Sequence, residues 1–499
     1  FCGLTSGLLL GVSSCSLDYE PLDTYSDVTE GITDNGTKIV FKDKAAVESH
    51  LTTLYNQMRD RQEHWYVDLL LIADSHADNA YAGTTGAEVV PFENNSIEGS
   101  NSVLERDWNR YLEDIARANK LICNIDQVKD NSLTADERAQ YKAEAEIFRA
   151  MIMFDMVRLW GDFPVITTVA DDITSDNIED VYSQYFPEQN TELEAYQQIE
   201  RDLLDAVKYA PDNTPGNKTL FTKSVARTLL AKIYAEKPLR DYTKVIQYCE
   251  VKADGFDLVE DFSDLFGMND ANTDAKVRNT KEAILEAQFT PGAGNWCSWM
   301  FGRDLVNWNT NFTWAKWVTP SRDLINAFKK EGDEVRFKES VVYYDCSWSN
   351  YYPSDNYPFM YKCRSANSSI IKYRYADVLL LKAEALIMQD TPDLEAAAGI
   401  IDEIRERAGL GKLPSSIREN KNSMIDALLK ERRLELAFEG QRWFDLVRLD
   451  KVEEVMNAVY AKDSGRKAQV YAFDKNSYRL PIPQSVIDAN DKIQQNPGY

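Results

Sequence analysis

The segment ERRLELAFEGQRWFDLVRL, residues 431–449, decides how this chain is read. Leu434, Ala437 and Phe438 fall at i, i+3 and i+4, one stripe of a helix. Glu431, Arg432, Glu435 and Arg442 lie along the flanks, where opposite charges can pair on a helix surface. Its last six residues, FDLVRL at 444–449, repeat almost unchanged the FDMVRL at 154–159. In each copy Phe and Val are three apart on one face, and Asp and Arg have the spacing of an intrahelical ion pair (Asp155 with Arg158, Asp445 with Arg448). A catalytic pair of acids needs a second carboxylate converging across a cleft, and the sequence marks none beside either copy. The phrase is therefore expected to be scaffold.

Working outward, helical periodicity fills both ends of the chain. Val47, Leu51, Leu54, Tyr55 and Met58 share one face of a helix beginning at Lys44. Ser102 with Glu105, Thr134 with Glu137 and Thr191 with Glu194 have capping-box spacing, and each precedes an apolar stripe. Gly161 and Pro164 stop the second of these helices, and Pro211 follows the third. Helices come as adjacent pairs with small residues (Ala116, Ala118, Ala226, Ala231, Ala383, Ala385) where they approach, the texture of tetratricopeptide-like hairpins without the strict consensus. Between Pro291 and about Tyr361 the period fades and aromatic residues crowd in.

The net charge is −25 with no Lys/Arg run, which excludes the basic face a nucleic-acid binder needs. The first residues, LTSGLLLGVSSC at 4–15, read as the tail of a secretory signal and are too short to span a bilayer. Val12-Ser13-Ser14-Cys15 resembles a bacterial lipobox, so residues 1–14 are read as a signal remnant, Cys15 as the lipidated residue and 15–30 as an acidic tether. A lipid on Cys15 would be the membrane attachment. The remaining cysteines form no close pair of zinc or disulfide-framework type. Cys123 and Cys249 are expected in the core, and Cys346 with Cys363, flanking an aromatic loop, is a candidate pair.

Four further stretches extend the reading of 431–449: EAEIFRAMIMFDMVRLWGDFPVI (144–166), RYADVLLLKAEAL (374–386), IRERAGL (404–410) and LPIPQSVIDANDKIQQNPGY (480–499). Together these motifs resemble the SusD/RagB family. The resemblance implies a mainly α protein: one domain, 31–499, on four tetratricopeptide-like helix pairs. The helical scaffold would occupy 40–255 and 370–499, and an irregular, short-strand ligand-binding region about 280–365. It further implies a glycan-binding lipoprotein at the outer surface of the outer membrane, without enzymatic activity or cofactor. Its partner would be a SusC-like TonB-dependent transporter. A peptide-binding member of the same family, or a lipid-anchored glycoside hydrolase, remains the alternative.

Sugars present C–H patches beside hydroxyls; a rigid aromatic face packs on the first, and Asn, Asp or Arg hydrogen-bond the second. Six of the ten tryptophans fall within 291–361, so the ligand surface is placed there. Trp296, Trp299 and Trp308 are the expected platforms, with Arg303, Asn307 and Asn309 as polar partners. Trp314 and Trp317 are expected to pack. Tyr81 and Asp78, from the Gly/Asn/Thr-rich stretch 73–96, complete the set. Asp74, His76 and Asp78 alternate but lack a fourth ligand, so no metal is assigned to them. A structural calcium on other loop oxygens stays open.

Overall fold

The computed structural model describes residues 40–83, 86–173, 175–290, 293–297, 305–307 and 317–499. Its helices follow the expected order. Helix α1 (Lys44–Asp60) packs on α2 (Ser102–Asn124), α3 (Ala135–Trp160) on α4 (Glu192–Tyr209), and α5 (Lys223–Ala235) on α6 (Tyr242–Tyr248). After the shorter α7 (Arg322–Glu331), a fourth pair forms from α8 (Tyr375–Met388) and α9 (Leu394–Arg407). Each pair contacts the next in chain order, and α10 (Lys421–Glu435), α11 (Arg442–Arg448) and α12 (Val452–Lys462) close the array. This is the helix-pair scaffold read from the sequence.

Local chemistry sets the helix ends. Thr134 and Thr191 each accept from the backbone N–H three residues on, with Glu137 and Glu194 reaching back, as expected for capping boxes. The third box is not formed: Asn101, not Ser102, caps α2, its side chain accepting from Val103 N–H at 3.0 Å. Asn is at least as good an acceptor there as Ser, so the helix starts one residue earlier than read. Helix α3 ends at Gly161, whose φ of +74° suits glycine.

One apolar core runs through all the pairs, and α3 is its axis: every residue from Ala143 to Trp160 is buried, so this half of α3 has no solvent face. Both copies of the repeated phrase lie in that core. Phe154 is 1% and Phe444 3% exposed, and the Arg158 guanidinium lies between them, 4.1 and 4.0 Å from the two ring centres. Asp155 and Asp445 pair with Arg158 and Arg448 at 2.5 and 2.8 Å. The two phrases thus pack against one another through a shared cation.

Among the described residues the strands form three antiparallel two-stranded ladders: β1 (Ala80–Tyr81) with β3 (Thr319–Pro320), β2 (Ala283–Ala287) with β6 (Ile370–Arg374), and β4 (Val341–Tyr344) with β5 (Tyr357–Met360). The last hairpin covers its own small core of Leu305, Trp348, Tyr357 and Phe359.

The charged flanks of 431–449 behave differently from the surface pairs expected of them. Glu435 is buried and accepts from Arg336 (3.1 Å), Arg374 (2.6 Å) and Arg407, and Glu431 from Arg336 (2.6 Å) and Arg405 (3.1 Å). Arg432 bridges Asp377 and Asp445 at 2.8 Å each. Burial would raise the Glu435 carboxyl, but Arg407, Arg374 and Arg336 outweigh it and hold it well below the carboxylate range. The segment is not one helix: α10 ends at Glu435, ahead of Ala437 and Phe438, α11 begins at Arg442, and the charged residues join distant segments.

The cysteines also depart in part from expectation. Cys249 is in the core, but Cys123 is exposed on α2 with its Sγ 3.5 Å from Thr167 O. Cys346 and Cys363 do not pair as a disulfide: the Cys346 Sγ donates to Trp348 O at 3.2 Å, whereas Cys363 accepts from the Asn295 amide at 3.1 Å.

Candidate functional site

A single irregular helical segment underlies the aromatic-rich region. It runs as a π turn (Glu63–Val67), one α turn (Asp68–Leu70) and a second π turn (Leu71–Ser75). Such π turns are rare and occur disproportionately at functional sites. At its start, Gln62 donates to Gly294 O at 3.0 Å and accepts from Trp296 N–H at 2.7 Å. At its end, the Ser75 hydroxyl lies 3.2 Å from Tyr81 O and 3.3 Å from Trp317 O. Both ends of the 293–320 stretch are therefore tied to one rigid element. The β1–β3 pairing, Ala80 with Pro320 and Tyr81 with Thr319, brings the 73–96 stretch onto the same side. The two stretches read from composition do meet.

Trp296 is 40% exposed, the one exposed tryptophan among the described residues. Its backbone is fixed from both sides, by Gln62 and by Asn295, whose amide donates to Ser368 O at 3.0 Å. The result is an exposed indole on an immobilised backbone, which can offer an apolar face at small entropic cost. Trp317 is half-buried against the main core, and Trp348 packs edge-on against Tyr357 and Phe359, so these two hold loops to the scaffold. Trp299, Arg303, Trp308, Asn309 and Trp314 lie outside the described residues, as does the side chain of Asn307.

Two residues expected at the ligand surface are inside the protein. Tyr81 is 0% exposed; its ring stacks on Tyr351 at 4.6 Å, its hydroxyl donates to Asp463 at 2.7 Å and it accepts from Arg322 N–H at 3.0 Å. Burial pushes that hydroxyl up to about 12. Asp78 is 1% exposed and takes a two-point ion pair from Arg442 at 2.7 and 2.9 Å, with Arg433 at 3.3 Å. Burial would raise its carboxyl, but Arg433 and Arg442 hold it below the usual range. Both side chains spend their polar atoms on the scaffold, which corrects the reading of them as ligand contacts. Asp74 and His76 are engaged separately: Asp74 accepts from Asn79, Phe438 N–H and Gly440 N–H, and His76 Nδ1 donates to Phe92 O at 2.7 Å.

Sequence reasoning missed Gln62 and Arg322. Arg322 lies 4.3 Å from the Tyr352 ring centre and donates to Tyr351 O beside Gly83 and Asn350. Gln62 has no composition signal, and only the chain's return to the same place makes it a neighbour of the aromatic stretch; Arg322 lies within that stretch, at the start of α7, where its helical surroundings hide it.

The chain is a stack of helix pairs with an irregular region that exposes Trp296. Comparison with known proteins then gives its family: the SusD family model matches residues 355–499, and a model described as "Starch-binding associating with outer membrane" matches 24–235. The chain belongs to the SusD family. It is 27% identical to SusD-like protein P2 of Formosa agariphila, over 92% of this chain and 93% of that one. To a SusD-like protein of Bacteroides ovatus it is 25% identical, over 89% and 81%. Among solved structures, a laminarin-binding SusD-like protein superposes with a TM-score of 0.71 at 22% identity, covering 92% of this chain and all of that one. Surface glycan-binding protein A from Bacteroides fluxus does so at 0.73 and 20% identity, over 92% of this chain and all of that one. These two likenesses establish the fold.

Proposed function

We propose that this chain captures oligosaccharides on the surface around Trp296 and hands them to a SusC-like TonB-dependent transporter. It does so as a non-catalytic lipoprotein held at the outer face of the outer membrane through Cys15. The observation that carries the reading is the exposed Trp296 indole on a backbone clamped by Gln62 and Asn295. The names of two similar proteins, one laminarin-binding and one a surface glycan-binding protein, support the sugar class. The association with the outer membrane by which the second family model is described supports the membrane placement. No helix among the described residues is long and apolar enough to cross a membrane.

Calorimetry against a panel of α- and β-glucan oligosaccharides tests this. For the glucan that binds, Trp296→Ala is expected to weaken binding by about 1–3 kcal/mol, the range for a lost aromatic stack. That is about fivefold to a hundredfold in affinity, with unchanged melting because the side chain is exposed. Wild-type affinity in the variant moves the platform away from Trp296. New reducing ends on prolonged incubation replace the capture reading with hydrolysis.

A further inference from the structure

A partly open cavity of about 60 Å³ lies between the 62–75 helical segment, β6 and the turn that follows α10. A cavity of about 150 Å³ takes a benzene ring and a single water needs about 10–15 Å³, so this one suits a small ion and excludes a sugar ring. It is separate from the surface around Trp296 in what it can hold.

Its walls are rich in donors. The Tyr66 and Tyr373 hydroxyls face no hydrogen-bond partner, although both side chains are buried. Burial raises both phenols well above their ordinary range, so they are present as O–H donors. Lys372 donates to Trp65 O at 3.3 Å and to Asp155 at 3.0 Å, and Lys362 to Glu435 O at 2.9 Å and Glu439 at 2.6 Å. An ammonium has three N–H groups, so each of these two lining lysines has one beyond the bonds just named. Asp155 pairs with both Lys372 and Arg158, and the Glu439 carboxylate in the cavity wall is taken up by Lys362 at 2.6 Å and Arg374 at 2.7 Å. The Cys297 thiol, pushed up by burial, adds no competing negative charge.

The backbone around the cavity is also irregular. Tyr66 belongs to a π turn, and Phe438 lines the wall with a φ of +61°, a left-handed conformation unusual for a bulky residue. Strain of this kind concentrates at ligand clamps.

We infer that this cavity is a binding site for a small monovalent anion, a halide or a short carboxylate, held by the Tyr66 and Tyr373 hydroxyls and the Lys372 ammonium. Two buried donors then gain an acceptor and the two cations sharing Asp155 gain a second negative charge.

Crystals of the full chain soaked in sodium bromide, measured at the bromine edge, are expected to show an anomalous peak within hydrogen-bonding reach of both hydroxyls. Thermal melts at constant ionic strength compare sodium bromide and sodium acetate with sodium gluconate, which is too large to enter. A melting temperature raised by bromide or acetate over gluconate supports the site. A bromide peak assigns a halide, and stabilisation by acetate without that peak assigns a carboxylate. Tyr373→Phe and Tyr66→Phe, each removing one hydroxyl from the wall, are expected to abolish the ion-dependent shift while melting as wild type in gluconate. If one variant fails to fold, the other carries the comparison. Water density in the wild-type cavity with identical melting in the three salts overturns the inference, as does an ion-dependent shift kept by both variants.

Discussion

Asp78→Asn tests whether the 73–96 stretch is scaffold or ligand surface. The substitution keeps the volume and one acceptor oxygen but removes the charge. Arg442 then loses the carboxylate it meets at 2.7 and 2.9 Å, and Arg433 a second partner at 3.3 Å, though Arg433 keeps Asp323 at 2.8 Å. All three side chains are buried, so solvent cannot make good the loss. Breaking a buried pair by removing one partner costs about 3–5 kcal/mol, because the surviving charge is left uncompensated. At about 2.1 cal/mol/K per residue, unfolding a chain of 499 residues carries roughly 1 kcal/mol/K, so the melting temperature should fall by about 3–5 °C. Urea titration is the suitable assay, since guanidinium would itself screen the charges. Arg442→Met in the Asp78→Asn background removes the stranded charge and should restore part of the loss, giving a coupling of the order of 1–3 kcal/mol. The folded state's hold on this carboxyl also sets a pH dependence. Its folded pKa lies below the unfolded value of about 3.9, so its contribution is present above pH 4 and fades as pH falls below it. Asp78→Asn should therefore flatten the acid limb of the stability profile. A variant as stable as wild type that has lost oligosaccharide binding would refute this reasoning and return Asp78 to the ligand surface.

Phe154→Ala and Phe444→Ala should each destabilise by about 3–5 kcal/mol, and the double variant by less than the sum, since both rings flank Arg158; denaturant titration of the three proteins measures this. Glu146 is buried, and burial together with Asp202 and Asp205 raises its carboxyl to about 8, so its ionisation opposes folding increasingly as pH rises from about 4.5 to 8. Glu146→Gln should accordingly stabilise more at pH 8 than at pH 5, and equal effects at both would show that the carboxyl is not held neutral. Cys15→Ala should move the protein from the membrane to the soluble fraction, and unchanged partitioning would remove the lipid-anchor proposal.

Much of the scaffold was legible in the residues themselves. Apolar positions recurring every three or four residues mark helices, and Thr134 and Thr191 mark two of their starts, because these signals act within a single turn of backbone. The repeated FD(M/L)VRL was readable as packing for the same reason, although nothing local says that its two copies clasp one arginine across 290 positions (444 − 154). Composition located the aromatic stretch and singled out Trp296, but not the Gln62 that fixes it. What tertiary structure alone decided was the partner of each charge. Glu431, Arg432, Glu435 and Arg442 have the spacing of solvated pairs on one helix, and that pattern is identical whether the helix meets water or other segments. Buried among Arg336, Arg374, Asp377 and Asp78, they join elements far apart in the chain. Tyr81 and Asp78 were misplaced for the same physical reason: a Gly/Asn/Thr-rich stretch reads as exposed loop. Burial is set by what folds over it, here Tyr351 on one side and Arg442 on the other.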